Sequence, residues 1–454
     1  MKPHSNAPYD LVGVGFGPAN LALGVVLQEE AEDGGRDVSR LFLEARREPC
    51  WHPGLLLESS LIQITVLKDL ATVRNPRSRF SFLCYLHEKG RLFDFLNLRD
   101  LFPSRVEFND YLGWVAGQLA ADARFGCRVE TVRPLPAADG GVGLLEVVAT
   151  DAASGAALRF AARNLVVATG GRPWTPPGVD LVPGGRAFHA GDFLHRLEAD
   201  YPDRRAPYRF LVVGAGQSGA ELFDYLVGRY PNADVTATMR RFGYKPVDES
   251  DFSNEIFFPQ MIDFVFDLPD GVRREVIDSF REVNYAVVDA PLIRRIYRFL
   301  YDEKVLGRDR ARLRPLRNLR AVREEGDRVV AVLEETLRPG RREEWAGDAV
   351  VLATGFEWGT RHPLLDELAP WFEQAADGSG YRVERDYGVA ARDGFRPRVF
   401  LQGYCEATHG ISETVLSLLP MRAQDIQRSL SARLAAAETA QTGPAAVVAA
   451  VEAG

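Results

Sequence analysis

Apolar residues in this chain gather into short unbroken runs that end on glycine. Residues 9–15 read YDLVGVG and residues 209–216 read RFLVVGAG. Each run gives way to a stretch with apolar positions at helical spacing, PANLALGVVLQEE after the first and QSGAELFDYLVGRY after the second. A short continuous apolar run predicts a strand buried on both faces, and the change of period beyond the glycines predicts a helix packed back onto it. Strand, glycine-rich turn and helix form the beginning of a dinucleotide-binding unit. Farther along, each copy meets a second buried-strand run ending in Ala-Thr-Gly: NLVVATGG at 164–171 and DAVVLATGF at 348–356. One GxGxxG match alone carries little. Two, each in context and each with its own later ATG, predict an α/β chain with two Rossmann-like domains.

The ends of the second strands set the two sites apart. After the first motif comes RLFLEARRE, where Glu44 ends the apolar run and can accept hydrogen bonds from ribose hydroxyls. A 2′-phosphate would be repelled there, so FAD or NAD fits and NADP does not. After the second motif comes ADVTATMRRFG, with Arg240 and Arg241 in the matching place and no acid. Guanidinium groups pair well with a 2′-phosphate, so the second site reads as NADPH, with Arg240 the better candidate. The first motif is read as Gly13 and Gly15, with Pro18 where a third glycine would sit; proline suits the first turn of a helix, whose N–H groups lack partners. The pyrophosphate is expected on that helix N-terminus. The second motif is regular, Gly214, Gly216 and Gly219, with Gln217 and Ser218 between them. FAD and NADPH in one chain imply hydride transfer from nicotinamide to flavin.

Composition removes several classes of function. A chain of 454 residues exceeds one ordinary core. The net charge of −8 gives no broad basic surface for nucleic acid or anionic lipid. Cys50, Cys84, Cys127 and Cys405 form no CxxC, which argues against a dithiol redox centre or a metal site and leaves oxygen as the acceptor of flavin electrons. The N-terminus lacks a signal-peptide apolar region, and no uninterrupted apolar run reaches about 18 residues, so a cytoplasmic protein without a membrane span is expected.

Several stretches resemble the N-hydroxylating flavoprotein monooxygenases, the ornithine and lysine N-hydroxylases of siderophore biosynthesis. GVGFGPANLAL (13–23) resembles their FAD motif and VVGAGQSGAEL (212–222) their NADPH motif. WHPGLLLESSLIQITVLKDLATVRNPRSRFSFLCYLHEKGRL (51–92) resembles their most distinctive segment, and DFSNEIF, NYAVVD and THGISETVLSLLPMRA resemble three more. Together they span most of residues 9–430 in family order, and the wording of KDLAT, SNEIF and NYAVVD is nearest the ornithine members. The resemblance implies that His52 and Gln63 lie at or near the flavin. It puts Lys68 on the substrate α-carboxylate, Asn254 and Asn284 on the amino-acid head group, Ser417 near the reacting amine and Arg240 on the 2′-phosphate. Read without it, Lys68 would pair with Asp69 or snorkel to solvent. Ile62 and Val66 depart from the family's Met-Gln-x-Ser-Phe-Leu-Lys pattern, which bears on flavin gating.

The resemblance also implies the chemistry. A side-chain amine with a pKa of about 10.4 must be neutral to attack a C4a-hydroperoxyflavin, and a poorly solvated pocket favours that form. The oxidation belongs to the flavin, so no protein nucleophile or catalytic triad is expected; Asn284 assists positioning. The architecture expected is a discontinuous FAD domain (1–200 and 350–430), to which the second ATG strand and the THGIS segment return. An NADPH domain (205–350) is inserted in it, with a mostly helical substrate region at 245–300 and an Ala-rich tail at 431–454. A homo-oligomer, possibly a tetramer, comes from the resemblance alone. The preferred activity is N5-hydroxylation of L-ornithine with NADPH and O2. The same chemistry on L-lysine or putrescine is a close alternative, and an NADPH oxidase or flavin-binding regulatory protein is one of a different class.

Overall fold

In the computed structural model, which describes residues 7–58 and 60–442, both glycine-ended runs are central strands of parallel sheets. Leu11–Val14 lies between Arg40–Leu43 and Asn164–Val167, with Ala123–Arg124 and Arg398–Leu401 at the edges. Arg209–Val213 lies between Asp234–Met239 and Ala349–Leu352, with Ala311–Pro315 and Ala187–His189 at the edges. Leu11–Val14, Asn164–Val167 and Ala349–Leu352 are buried at every position, which explains their unbroken apolar character.

The correspondence between the lobes extends beyond the motifs. Immediately before its ATG strand each lobe carries a three-stranded antiparallel sheet: Cys127–Pro136, Val142–Asp151 and Ala157–Ala162 in the first, Arg317–Glu325, Arg328–Glu335 and Arg342–Gly347 in the second. Buried and solvent-facing side chains alternate at the start of Cys127–Pro136, because one face of that sheet is covered.

One expectation is corrected. The second ATG strand does not return to the first domain. Ala349–Leu352 aligns with residues 210–213 in the second sheet, and this register buries both apolar segments against each other. Ala187–His189, from within the 1–200 segment, pairs on its other side. The chain crosses between lobes at two neighbouring points, where Arg172–Pro173 pairs antiparallel with Phe356–Glu357. There the Trp174 N–H donates to the Gly355 carbonyl at 3.0 Å.

From residue 253 to 305 the chain is largely helical, with helices at Gln260–Asp267, Asp270–Ser279 and Ala290–Val305, the last packed on the second lobe through Leu292 and Ile296. Ile256, Val265, Ile277 and Val283 form a small core that also takes in Ile411 from the THGIS segment. The last of these helices is less buried than its apolar content suggests: Leu292 and Ile296 are buried, whereas Tyr297, Tyr301 and Val305 face solvent. Leu419–Thr442 is one helix running along Pro18–Glu32, and Arg36 forks onto Glu438 at 2.7 and 2.5 Å. Residues 431–442 of the Ala-rich tail therefore continue a packed helix; 443–454 lie outside the described residues.

Candidate active site

The two glycine-rich turns superimpose in logic once their helices are aligned. Gly17 precedes the helix Pro18–Glu32 and Gly216 precedes the helix Gln217–Arg229, both as N-cap residues. Gly15 and Gly214 each follow the last strand residue. A Cβ on Gly15 would sit 2.6 Å from the Ala168 carbonyl, and one on Gly214 would sit 2.3 Å from the Ala353 carbonyl. Gly15 also has φ +84, open to glycine at little cost. The frame of the first motif is thereby corrected: it runs Gly15, Gly17, Asn20, not Gly13, Gly15, Pro18. Gly13 lies inside the strand, where a Cβ would meet the Phe42 ring at 2.3 Å, and Pro18 is the first helical residue. Asn20 stands where the second lobe has Gly219. A Cβ on Gly219 would lie 2.7 Å from the Gly214 carbonyl; Asn20 Nδ2 instead donates to the Gly15 carbonyl at 2.6 Å.

The charge contrast between the lobes is present in space. Glu44 follows the second strand and accepts from the Phe16 N–H at 2.8 Å and the Arg46 N–H at 2.9 Å. These bonds aim the carboxylate back at the first turn. Arg240 is exposed and forms no ion pair with the described residues, and its guanidinium stands 5.9 Å from the Trp174 ring. Arg241 is occupied, facing Glu282 at 3.7 Å and donating to the Ala286 carbonyl at 3.4 Å.

A cavity of about 1400 Å³ opens between the lobes. Gln63, Gly214, Gly216, Gln217, Ser218, Arg240 and Asn284 all line it. Asn284 stands on a loop fastened at both ends. The Tyr285 hydroxyl bonds the Glu406 carboxylate and lies 3.0 Å from Thr414 Oγ1. Asp289 takes Gln63 Nε2 at 2.7 Å and Gln217 Nε2 at 2.9 Å. Burial pushes the Glu406 carboxyl up, against the lowering pull of the Tyr285 hydroxyl. Ala286, between these ties, holds φ 57, an uncommon conformation for a residue with a Cβ.

Gly13, Gly15, Pro18, Glu44, His52, Lys68, Asn254 and Ser417 do not line this cavity. Lys68 ends the short helical turn Val66–Lys68, which packs against Leu416–Leu418, so Lys68 and Ser417 stand on neighbouring segments. Ser253–Phe257, carrying Asn254, packs in turn against Ile411–Thr414. Asn254 Nδ2 donates to the Glu249 carbonyl at 3.2 Å. Lys68 is half-buried and has no ion pair among the described residues. Asp69 is not its partner. That carboxylate is buried and accepts from the N–H groups of Ala71, Thr72 and Phe82 and from the Thr72 hydroxyl, at 2.6–2.9 Å. His52 adopts φ 49 between Trp51 and Phe356, and burial, with Arg105 and Arg46 adding to it, draws its pKa down to about 4. His409 is buried, stacked on Tyr387 at 4.2 Å and bonded to Thr408 Oγ1 and the Arg385 carbonyl. Burial draws its pKa to about 3, so it stays neutral and local.

The first turn fits a pyrophosphate-bearing cofactor, because the backbone is bare at Gly15 and Gly17 and leads into free helical N–H groups. The second fits a nucleotide with an extra phosphate, since Arg240 is exposed and uncommitted. Gly17, Asn20, Asp289 and Glu406 escaped the sequence reading. The glycines at 13, 15 and 17 permit two frames, and only the helix start chooses between them; Asp289 and Glu406 meet partners far away in sequence.

Comparison with known proteins accords with this geometry. Residues 7–358 match the family model for L-lysine 6-monooxygenase/L-ornithine 5-monooxygenase. An L-ornithine N(5)-monooxygenase of Burkholderia cepacia is 40% identical over 406 residues, 88% of this chain and 90% of that protein. The Kutzneria sp. 744 ornithine N-hydroxylase, solved with reduced FAD, NADP+ and L-ornithine, is 36% identical with a TM-score of 0.88, covering 94% of this chain and 100% of that one. An L-lysine 6-monooxygenase from Pseudomonas syringae is 34% identical with a TM-score of 0.82, covering 94% and 99%.

Proposed function

The chain belongs to the L-lysine 6-monooxygenase/L-ornithine 5-monooxygenase family, and from that premise we propose that it hydroxylates the side-chain nitrogen of L-ornithine with FAD, NADPH and O2. The balance is RNH2 + O2 + NADPH + H+ giving RNHOH + NADP+ + H2O. Bound FAD supplies the passage of two electrons from NADPH to oxygen. The observation that carries the reading is the cavity between the lobes, which joins the second glycine-rich turn to Gln63 and Asn284 in one enclosure.

The chain's own residues then bind, orient and keep water out. Lys68, without a carboxylate partner among the described residues, holds the α-carboxylate of the substrate. Asn254 and Asn284 hold the head group, and Ser417, buried on the segment beside Lys68, lies toward the side-chain nitrogen. That nitrogen arrives protonated. Little water near Ser417 lowers its pKa and favours release of the proton. Arg240 takes the 2′-phosphate, and Glu44 with the turn at 15–17 takes the ribose and pyrophosphate of FAD. With the carboxylate fixed, substrate length is read by reach, and one methylene changes discrimination by about 1–3 kcal/mol. A diamine would leave Lys68 unpaired, which weighs against putrescine.

We place the enzyme in the cytoplasm, since all four cysteines are free. Among the described residues no helix is long and apolar enough to cross a membrane. Self-association into a homo-oligomer is supported by the exposed Phe93, Leu98 and Phe102 on the first lobe.

The test is an amine panel. FAD-loaded protein is given NADPH, O2 and L-ornithine, L-lysine or putrescine, and hydroxylated amine, peroxide and NADPH loss are measured. Hydroxyornithine should rise one for one with NADPH loss. Peroxide alone with every amine would overturn the reading in favour of an NADPH oxidase.

A further inference from the structure

Asp289 sits where its single carboxylate receives a side chain from each lobe, one on each oxygen. Its Oδ1 accepts from Gln63 Nε2 at 2.7 Å, and its Oδ2 accepts from Gln217 Nε2 at 2.9 Å. The Asp289 backbone N–H donates to Gln217 Oε1 at 2.9 Å, so both ends of that carboxamide are fixed by one residue. Gln217 is the first residue of the helix behind the second glycine-rich turn. The same Nε2 reaches Glu221 at 3.0 Å, where Arg105 of the first lobe also donates at 3.0 Å before turning its other nitrogen to the Leu55 carbonyl.

An ionised carboxylate offers only acceptors, so both glutamines must turn their amino groups toward it. For Gln217 the consequence is a locked amide. For Gln63, which is exposed and lines the cavity, the consequence is polarity: its carbonyl oxygen, without a partner among the described residues, is the face left for a ligand. Free of Asp289, that carboxamide could present either face equally well.

We propose that Asp289 is a positioning residue for the reaction, one that sets the acceptor face of Gln63 toward the cavity with the same carboxylate that seats Gln217 at the nucleotide turn. The placement of the nucleotide lobe and the polarity presented on the flavin side are then fixed together. The inference rests on the nucleotide reading of the second turn.

Asp289→Asn tests it. An asparagine offers one acceptor and one donor, so it satisfies one glutamine and opposes the other. The double variant Asp289→Asn with Gln63→Glu restores both bonds: the introduced asparagine would donate to the new carboxylate and accept from Gln217, and position 63 would still show an acceptor to the cavity. NADP+ binding to the FAD-loaded protein is measured by titration calorimetry, and hydroxylamine formed per NADPH by product assay. The single variant should bind NADP+ about 5- to 10-fold more weakly and lose at least half its coupling at unchanged FAD content. The double variant should recover both to within about twofold. A single variant equal to the parent in both measurements overturns the proposal, as does a double variant no better than the single. If Asp289→Asn does not yield folded protein, Gln63→Met removes one arm only and should lose coupling; coupling equal to the parent overturns the proposal. Parent protein that takes up no NADP+ defeats the nucleotide reading itself, whereas uptake unaffected by Asp289→Asn defeats this inference alone.

Discussion

The two glycine-rich turns follow the same course, but the third motif position holds a buried amide side chain in the first, Asn20, and a bare glycine in the second, Gly219. In the first, Asn20 donates to the Gly15 carbonyl and accepts from Gln402 at 2.9 Å. Gln402 accepts from Arg422 at 3.2 Å, and Arg422 meets Glu413 at 2.7 Å. Glu413 in turn accepts the Gly403 and Cys405 N–H groups at 2.7 and 3.1 Å. All four side chains are buried, so the chain of bonds ties the first turn to the THGIS segment and the C-terminal helix. Burial pushes the Glu413 carboxyl up, and Arg422 with the two N–H groups works against it. In the second lobe Gly219 has no side chain, and Ala220, Leu222 and Phe223 lie behind it. A fully satisfied buried network rigidifies what it touches.

The sharpest way to break this contrast is Asn20→Gly, which gives the first turn the makeup of the second. It strands the half-buried Gly15 carbonyl and the buried Gln402 amide, at a cost of about 2–4 kcal/mol. Chemical denaturation should report that loss, and FAD should leave on gel filtration; unchanged stability and full flavin would end the comparison. Lys68→Ala asks whether the flavin lobe also grips the substrate. The KM for L-ornithine should rise by about 10- to 100-fold, the weight of a charged hydrogen bond, with flavin content intact, and an unaltered KM removes Lys68 from the site. Arg240→Ala addresses the second turn. NADPH should weaken about 10-fold while NADH is unchanged, and equal losses for the two would remove the 2′-phosphate role. The last effect is read as a slope against pH. His409 is held neutral with a pKa of about 3, against 6.5 as its ordinary value, so the unfolded chain takes up its proton first as pH falls. The stability it contributes is complete above pH 6.5 and drains away toward its folded pKa, at about 1.4 kcal/mol per pH unit. His409→Gln should flatten the fall in stability between pH 6 and 4 by that share; an identical slope would place the acid sensitivity in other groups.

Much of the fold was legible because buried parallel strands must be continuously apolar. YDLVGVG, RFLVVGAG and the two ATG runs could scarcely be anything else. The antiparallel sheets preceding the ATG strands went unread, since alternation over Cys127–Pro136 is broken by register shifts at Val129/Thr131 and Leu135/Pro136. The charge contrast of Glu44 and Arg240 was legible from position alone. The frame of the first turn was not, with three glycines at alternate positions and the decisive partner of Asn20 lying 382 residues away at Gln402. Asp289 was hidden for the same reason, being joined to Gln63 across 226 residues. Pairings of that kind follow from the closing of the lobes and leave no local pattern.

The antiparallel ribbon at Arg172–Pro173 and Phe356–Glu357 makes the nucleotide-binding half a cassette whose entrance and exit touch. With Trp174 and Gly355 joined by one hydrogen bond, a short bridging linker could close the gap and excise everything between. Among the side chains such a minimal flavoprotein would leave exposed are Leu55 and Leu57, buried in the departing core, and Ile411, which loses the small core it shares with Ile256, Val265, Ile277 and Val283.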